Sequence, residues 1–217
     1  MNKKIKLAVS SATAGIAALG AAGALLLGAL PSQATTSTAT GPQKTVAASN
    51  VPALKATQIK YVSASWNCND GCHNIAQVPK GWGMTYLGKD EAKFTGGAGN
   101  WTVRINGYAR PTLTTKAAVA AKVKALKGTR GLKIESVTSS SLPWLIPGAN
   151  TRIYFTTVSY TYVDGARGTR WVSTRYADES LGGKSAHFEI TVGGRIKDAG
   201  ALKVVQNRAT QTVTQAG

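Results

Sequence analysis

Trp66-Asn67-Cys68-Asn69-Asp70-Gly71-Cys72-His73 carries more reactive side chains than any other stretch of this 217-residue chain, and Cys68 and Cys72 are its only cysteines. Three chemistries suit that spacing. Two cysteines four positions apart around a turn-forming Asn-Asp-Gly read as a disulfide closing a tight loop. Cys-x-x-x-Cys-His is one residue longer than the usual covalent haem attachment motif, and Met84 would then have to be the axial ligand. Cys68, Cys72, His73 and His187 also make a four-ligand set of the kind that holds zinc. The haem reading needs a distorted motif, and the metal reading needs thiols kept reduced. The disulfide is therefore the expectation adopted, with no cofactor.

Little else in the chain points to a reaction. It has two histidines and nine carboxylates, and no Gly-x-Ser-x-Gly, His-Glu-x-x-His or P-loop pattern. Asp90-Glu91 and Asp178-Glu179 are adjacent pairs whose side chains diverge, so neither forms an acid/base dyad by itself. Gly96-Gly97-Ala98-Gly99 resembles a phosphate-cradling loop but opens a strand instead of a helix, and it reads as a hairpin turn.

The first 34 residues read as a secretion signal. Lys3, Lys4 and Lys6 precede an uncharged apolar stretch from Leu7 to Leu30, and Ser32-Gln33-Ala34 places small residues where cleavage needs them. Cleavage after Ala34 leaves 183 residues and no transmembrane segment, with no cysteine placed for lipidation. Residues 35–56 lack aromatics and read as a flexible leader; 57–217 form a single domain. The net charge is +17, of which the signal holds three, so +14 remains. Such an excess suits an anionic polymer, a lipid head group or an acidic protein; nucleic acid is not favoured.

The elements that would position these residues follow from periodicity. Thr151–Tyr176 reads as a β-hairpin around Asp164-Gly165-Ala166-Arg167-Gly168. Tyr154, Thr156, Val158, Tyr160 and Tyr162 alternate with Ile153, Phe155 and Val163, which predicts a strand covered on both faces. Trp82–Leu87, Trp101–Asn106, Leu132–Val137 and Ser185–Val192 read as further strands. In the last of these Ala186, Phe188, Ile190 and Val192 face inward, with His187 exposed. Trp144, between two prolines, reads as packing over a sheet edge. Asp198 is placed as the cap of a terminal helix with Leu202, Val205, Ala209 and Val213 inward.

Thr114–Lys127 is the clearest helix, capped by threonine at its start and by Gly128 beyond its end. Val119, Val123 and Leu126 form its apolar stripe. Lys116, Lys124 and Lys127 fall within ~80° of one another on the helical wheel. From Lys93 to Lys133 there are nine Lys and Arg and no acid. Lys116, Lys124, Lys127 and Arg130 are accordingly the candidate surface for an anionic partner.

The order of elements from Val78-Pro79-x-Gly81-Trp82 onward resembles the Mog1/PsbP-like fold, and secreted actinobacterial LpqN-type proteins in particular, over about residues 75–213. That resemblance implies an α+β fold, an antiparallel β-sheet with helices packed on its faces, used mainly as a non-enzymatic binding scaffold. No catalytic residue carries over from it. The expectation is a secreted, basic, non-catalytic binding domain, extracellular or loosely associated with the cell envelope. The alternative is a secreted enzyme or a redox, metal or haem protein built on Cys68–His73.

Overall fold

The computed structural model describes residues 51–68, 71–97, 100–178 and 182–216. Signal and leader assignments up to residue 50, together with Asn69, Asp70, Ala98, Gly99 and Glu179, lie outside the described residues. After a 3₁₀ turn at Ala56–Gln58, strands β1 (Tyr61–Asn67) and β2 (His73–Pro79) form an antiparallel hairpin. Next come β3 (Gly83–Gly88), β4 (Glu91–Gly96), β5 (Trp101–Asn106), helix α1 (Thr115–Ala125) and β6 (Lys133–Pro143). The chain closes with β7 (Arg152–Val163), β8 (Thr169–Asp178), β9 (Phe188–Arg195), helix α2 (Ala199–Thr212) and β10 (Thr214–Ala216).

Strands β3 to β9 make a seven-stranded antiparallel sheet in the order β3-β4-β5-β9-β8-β7-β6. The hairpin expected around Asp164–Gly168 joins β7 to β8, with Val163 opposite Thr169. The fold class is thus α+β, as read from the sequence. It holds a second antiparallel sheet, however, where one was expected: β1, β2 and β10, in that order. This corrects the single-sheet reading. The stretch before Cys68 contributes a strand as well as a reactive loop, and Trp66 is only 1% exposed within the core.

Alternation along the strands builds two cores, one on each face of the large sheet. On one face α1 covers Val158, Tyr160, Val172 and Tyr176 with Ala118, Val119 and Leu126. On the other, α2 and the small sheet cover Ile153, Phe155, Trp171, Phe188 and Ile190. Strand β7 is thereby buried on both sides, as its large side chains on each face require. Leu202, Val205, Ala209 and Val213 are all fully buried, matching the expected stripe. Burying each of the larger ones stabilises by about 1.5–3 kcal/mol.

Polar side chains fix the setting of α2. Gln206, buried on that helix, donates through Nε2 to the carbonyls of Ser173 (3.0 Å) and Ile190 (2.8 Å) and accepts from Ser173 Oγ. Arg175 is buried without a carboxylate. Its guanidinium donates to Thr157, Thr210 and Asn207 and lies 3.8 Å over the Phe155 ring. Burial lowers its pKa from the ordinary arginine value.

Candidate anion-binding surface

Helix α1 presents the expected lysines and splits them. Thr114 caps its start by accepting from the Ala117 N–H at 3.1 Å, and Gly128 follows its end at φ +87°. Lys116, Lys124, Lys127 and Arg130 are all exposed. Lys116 stands at the first turn and Lys127 beyond the last, about 16 Å apart along the axis at helical rise. Lys116 lines a cavity of about 540 Å³ together with Lys184, which arrives from the loop before β9. The wall between them is rich in hydroxyls. Thr115 Oγ1 and Thr156 Oγ1 lie 2.9 Å apart, and Ser139 Oγ is 3.0 Å from Thr156. Lys124, Lys127 and Arg130 stay at the other end of the helix.

The carboxylates are used elsewhere. Glu91 pairs with Arg104, and Asp164 lies 2.9 Å from Arg167 and 3.4 Å from Arg170. Asp198 pairs with Arg195 at 2.7 Å. Glu189 lies 3.7 Å from Lys122 and also accepts from Thr191 Oγ1 at 3.1 Å. Tyr176, buried beside this cluster, has its pKa raised first by desolvation and then by the Glu189 charge. Glu135 accepts the Trp171 indole N–H, and Asp178 accepts the Ser185 N–H. Among the described residues no carboxylate forms an ion pair with Lys116, Lys124, Lys127 or Arg130. The scarcity of acid in the sequence thus becomes, among the described residues, exposed positive charge at Lys116, Lys124, Lys127 and Arg130 without an ion-pair partner.

Cys68 and Cys72 are joined in a disulfide, their Cα atoms 5.3 Å apart, and the Cys68 N–H donates to the Cys72 carbonyl at 3.1 Å. The four-ligand metal set is therefore dismantled. Both sulfurs are bonded to each other, and His187 Nε2 is 3.0 Å from Gln215 Oε1. His187 is half-buried against the rings of Tyr108 and Phe188, not an exposed strand residue as its alternation suggested. Trp144 packs against the core, and its indole N–H donates to the Val213 carbonyl at 3.0 Å, which agrees with the expected packing.

Asp198 departs from its expected role. It sits at the start of α2 but makes no side-chain cap there. Its carboxylate accepts from the Leu54 N–H at 2.8 Å, from the Trp101 indole and from Arg195. Arg195 in turn donates to the carbonyls of Val51 and Pro52, both at 2.7 Å. Val51, Pro52 and Leu54, within the stretch 35–56 assigned to the flexible leader, are thus tied to the domain. No local pattern announced this, because every partner is distant in sequence.

Compared with known proteins, the chain matches no family model and no curated protein sequence. Among the described residues no helix is long and apolar enough to cross a membrane.

Proposed function

We propose that this chain is an exported, non-catalytic binding domain for an anionic partner of the cell envelope, built on a scaffold of the Mog1/PsbP type. The observation that carries the reading is the one-sided use of charge. The described carboxylates with assigned partners are taken up by arginines, Lys122, an indole and a backbone N–H, while Lys116, Lys124 and Lys127 have no acid partner among the described residues. An anion approaching Lys116, Lys124 or Lys127 therefore meets positive charge that no carboxylate among the described residues pairs with, and association is favoured on electrostatic grounds. Individual rim charges are weak and screened within about 8 Å at physiological salt, so the binding would require several acting together.

The succession of strand, Trp101 strand, Ala/Lys helix, long hairpin and terminal helix supports the scaffold; the sheet of β1, β2 and β10 is additional to that pattern. The test is retention of the protein on an immobilised anionic polymer, such as a poly(glycerol phosphate), across a salt gradient. Retention that falls steeply with salt and depends on the α1 lysines supports the reading. Retention indifferent to salt, or equal on a neutral polymer, rejects it.

A further inference from the structure

Away from α1, the β1–β2 hairpin, the strap at Val51–Leu54 and the large sheet border an open cavity of about 470 Å³. That volume is in the range of small-ligand sites. Leu54, Ile59 and Pro79 form apolar walls, and Trp82 and Trp101 also line the cavity. The two indoles stack with centroids 6.5 Å apart and planes 20° from parallel, each half-buried. Their setting is built in. Trp82 lies across Gly96, where a Cβ would come within 2.5 Å of Cε2, so only glycine lets the ring lie there. Trp101 is pinned at its edge by Asp198 Oδ2 at 2.6 Å.

Three exposed lysines, Lys55, Lys60 and Lys80, line the same cavity. The hairpin forces two of them together: Tyr61 pairs with Pro79, and Lys80 N donates to the Lys60 carbonyl at 2.7 Å. Like charges held side by side repel, and among the described residues no carboxylate pairs with any of the three. An aromatic surface with an apolar wall and a rim of unpaired ammonium groups defines its ligand. It should be a ring with a C–H face for the indole and an anionic substituent for the lysines.

We infer that this cavity binds an acidic saccharide unit, its pyranose ring on the indole surface and its carboxylate or phosphate among Lys55, Lys60 and Lys80. The inference rests on the reading of the chain as an anion-binding domain and adds a second site with its own ligand chemistry. Single-stranded nucleic acid fits less well, because it uses successive aromatic platforms along a groove. Here the two indoles stack on each other and offer one platform; among the described residues no arginine lines the cavity, and Arg195, 5.6 Å over the Trp101 ring, is held by Asp198.

Tryptophan fluorescence of the purified protein, titrated with trigalacturonate, glucose 6-phosphate, maltotriose, inorganic phosphate and oligothymidylate, tests this. A saturable change is expected with an acidic sugar, at least tenfold tighter than with maltotriose or phosphate; the first two probes distinguish a carboxylate from a phosphate source. The double variant Lys60→Gln with Lys80→Gln should weaken it about tenfold. Gly96→Ala should do the same by displacing Trp82 while leaving charge unchanged. Should Gly96→Ala fail to fold, Trp82→Leu takes its place. Equal binding of maltotriose, equal binding of phosphate alone, tighter binding of oligothymidylate, or variants that bind like the parent would each overturn the inference. If polymer retention depends on α1 while these variants bind unchanged, only the cavity site falls. If no anionic polymer is retained but trigalacturonate still titrates in the cavity, the site stands and the broader function falls.

Discussion

The Asp198 carboxylate accepts the indole N–H of Trp101 at 2.6 Å from a position 97 residues further along the chain. One buried acid thereby joins the start of α2, strand β5, Arg195 and the backbone of Leu54. A side chain read as a helix cap is instead the knot between the terminal helix, the large sheet and the strap that precedes β1.

Asp198→Asn should cost about 2–3 kcal/mol, since it weakens charge-assisted hydrogen bonds and leaves Arg195 without its counter-ion. Burial by itself would raise the Asp198 pKa, but the bonds from Arg195, Leu54 and Trp101 outweigh it and hold the group below the ordinary carboxylate value. The contribution is therefore complete above about pH 4, where an unfolded aspartate is ionised, and is lost as pH falls through the lower folded value. Urea midpoints of parent and variant should differ widely at pH 7 and converge in acid. A gap that does not change with pH would contradict this.

The triple change Lys116→Glu, Lys124→Glu and Lys127→Glu should abolish most retention on an anionic polymer without unfolding α1, because Glu is nearly as good a helix former as Lys. The comparison is a triple reversal at Lys89, Arg167 and Lys203, which alters net charge equally. Lys184 is unsuitable for that purpose because it shares a cavity with Lys116. Equal losses from both triples would mean diffuse attraction and no site on α1.

Replacing Cys68 and Cys72 by serine should lower stability by about 2 kcal/mol, the chain-entropy value for so short a loop. The core packing of Trp66 and the rest of the β1–β2 ladder should keep the fold. Mass spectrometry without reductant should find the parent two hydrogens lighter than its reduced form. Free thiols in the untreated protein would refute the bond.

Gly194→Ala should destabilise by about 1–3 kcal/mol, because a Cβ there would meet Leu202 Cδ1 at 2.7 Å and Trp101 Cδ1 at 3.1 Å. Gly97→Ala, where a Cβ meets nothing within 4 Å, should have little effect. Thermal unfolding of the two variants provides the check.

Regular alternation and helical periodicity were legible wherever a segment buries one face. Val103 and Ile105, the Val119–Leu126 stripe and the four apolar positions from Leu202 to Val213 needed only local spacing to be assigned. Strand β1 was harder to read because the reactive cysteines dominate its neighbourhood, and only long-range packing of Trp66 shows that it belongs to the core. Helical phase grouped Lys116, Lys124 and Lys127 on one side, but Lys127 lies beyond the end of α1 and Lys116 stands at its start. It could not show that Lys116 joins Lys184, since that meeting depends on how the loop before β9 returns to α1. Lys60 and Lys80 were invisible for the same reason: their juxtaposition exists only once β1 and β2 pair.

The three-stranded sheet has a consequence for the order of events in folding. Strand β10 pairs with β2, Thr214 lying opposite Ile75, so the sheet cannot be completed until residues 214–216 are present. Until α2 and β10 are in place, β1 and β2 pair only with each other, and a hairpin alone is marginal in water. Trp66, Ala76 and Val78 also lack the α2 residues that complete their core. Formation of this layer must wait on contacts spanning most of the described chain, and such non-local closure belongs to the slow class of folding transitions. A chain truncated before Ala199, which lacks both α2 and β10, should therefore refold incompletely, with its early half left waiting for a tail that never arrives.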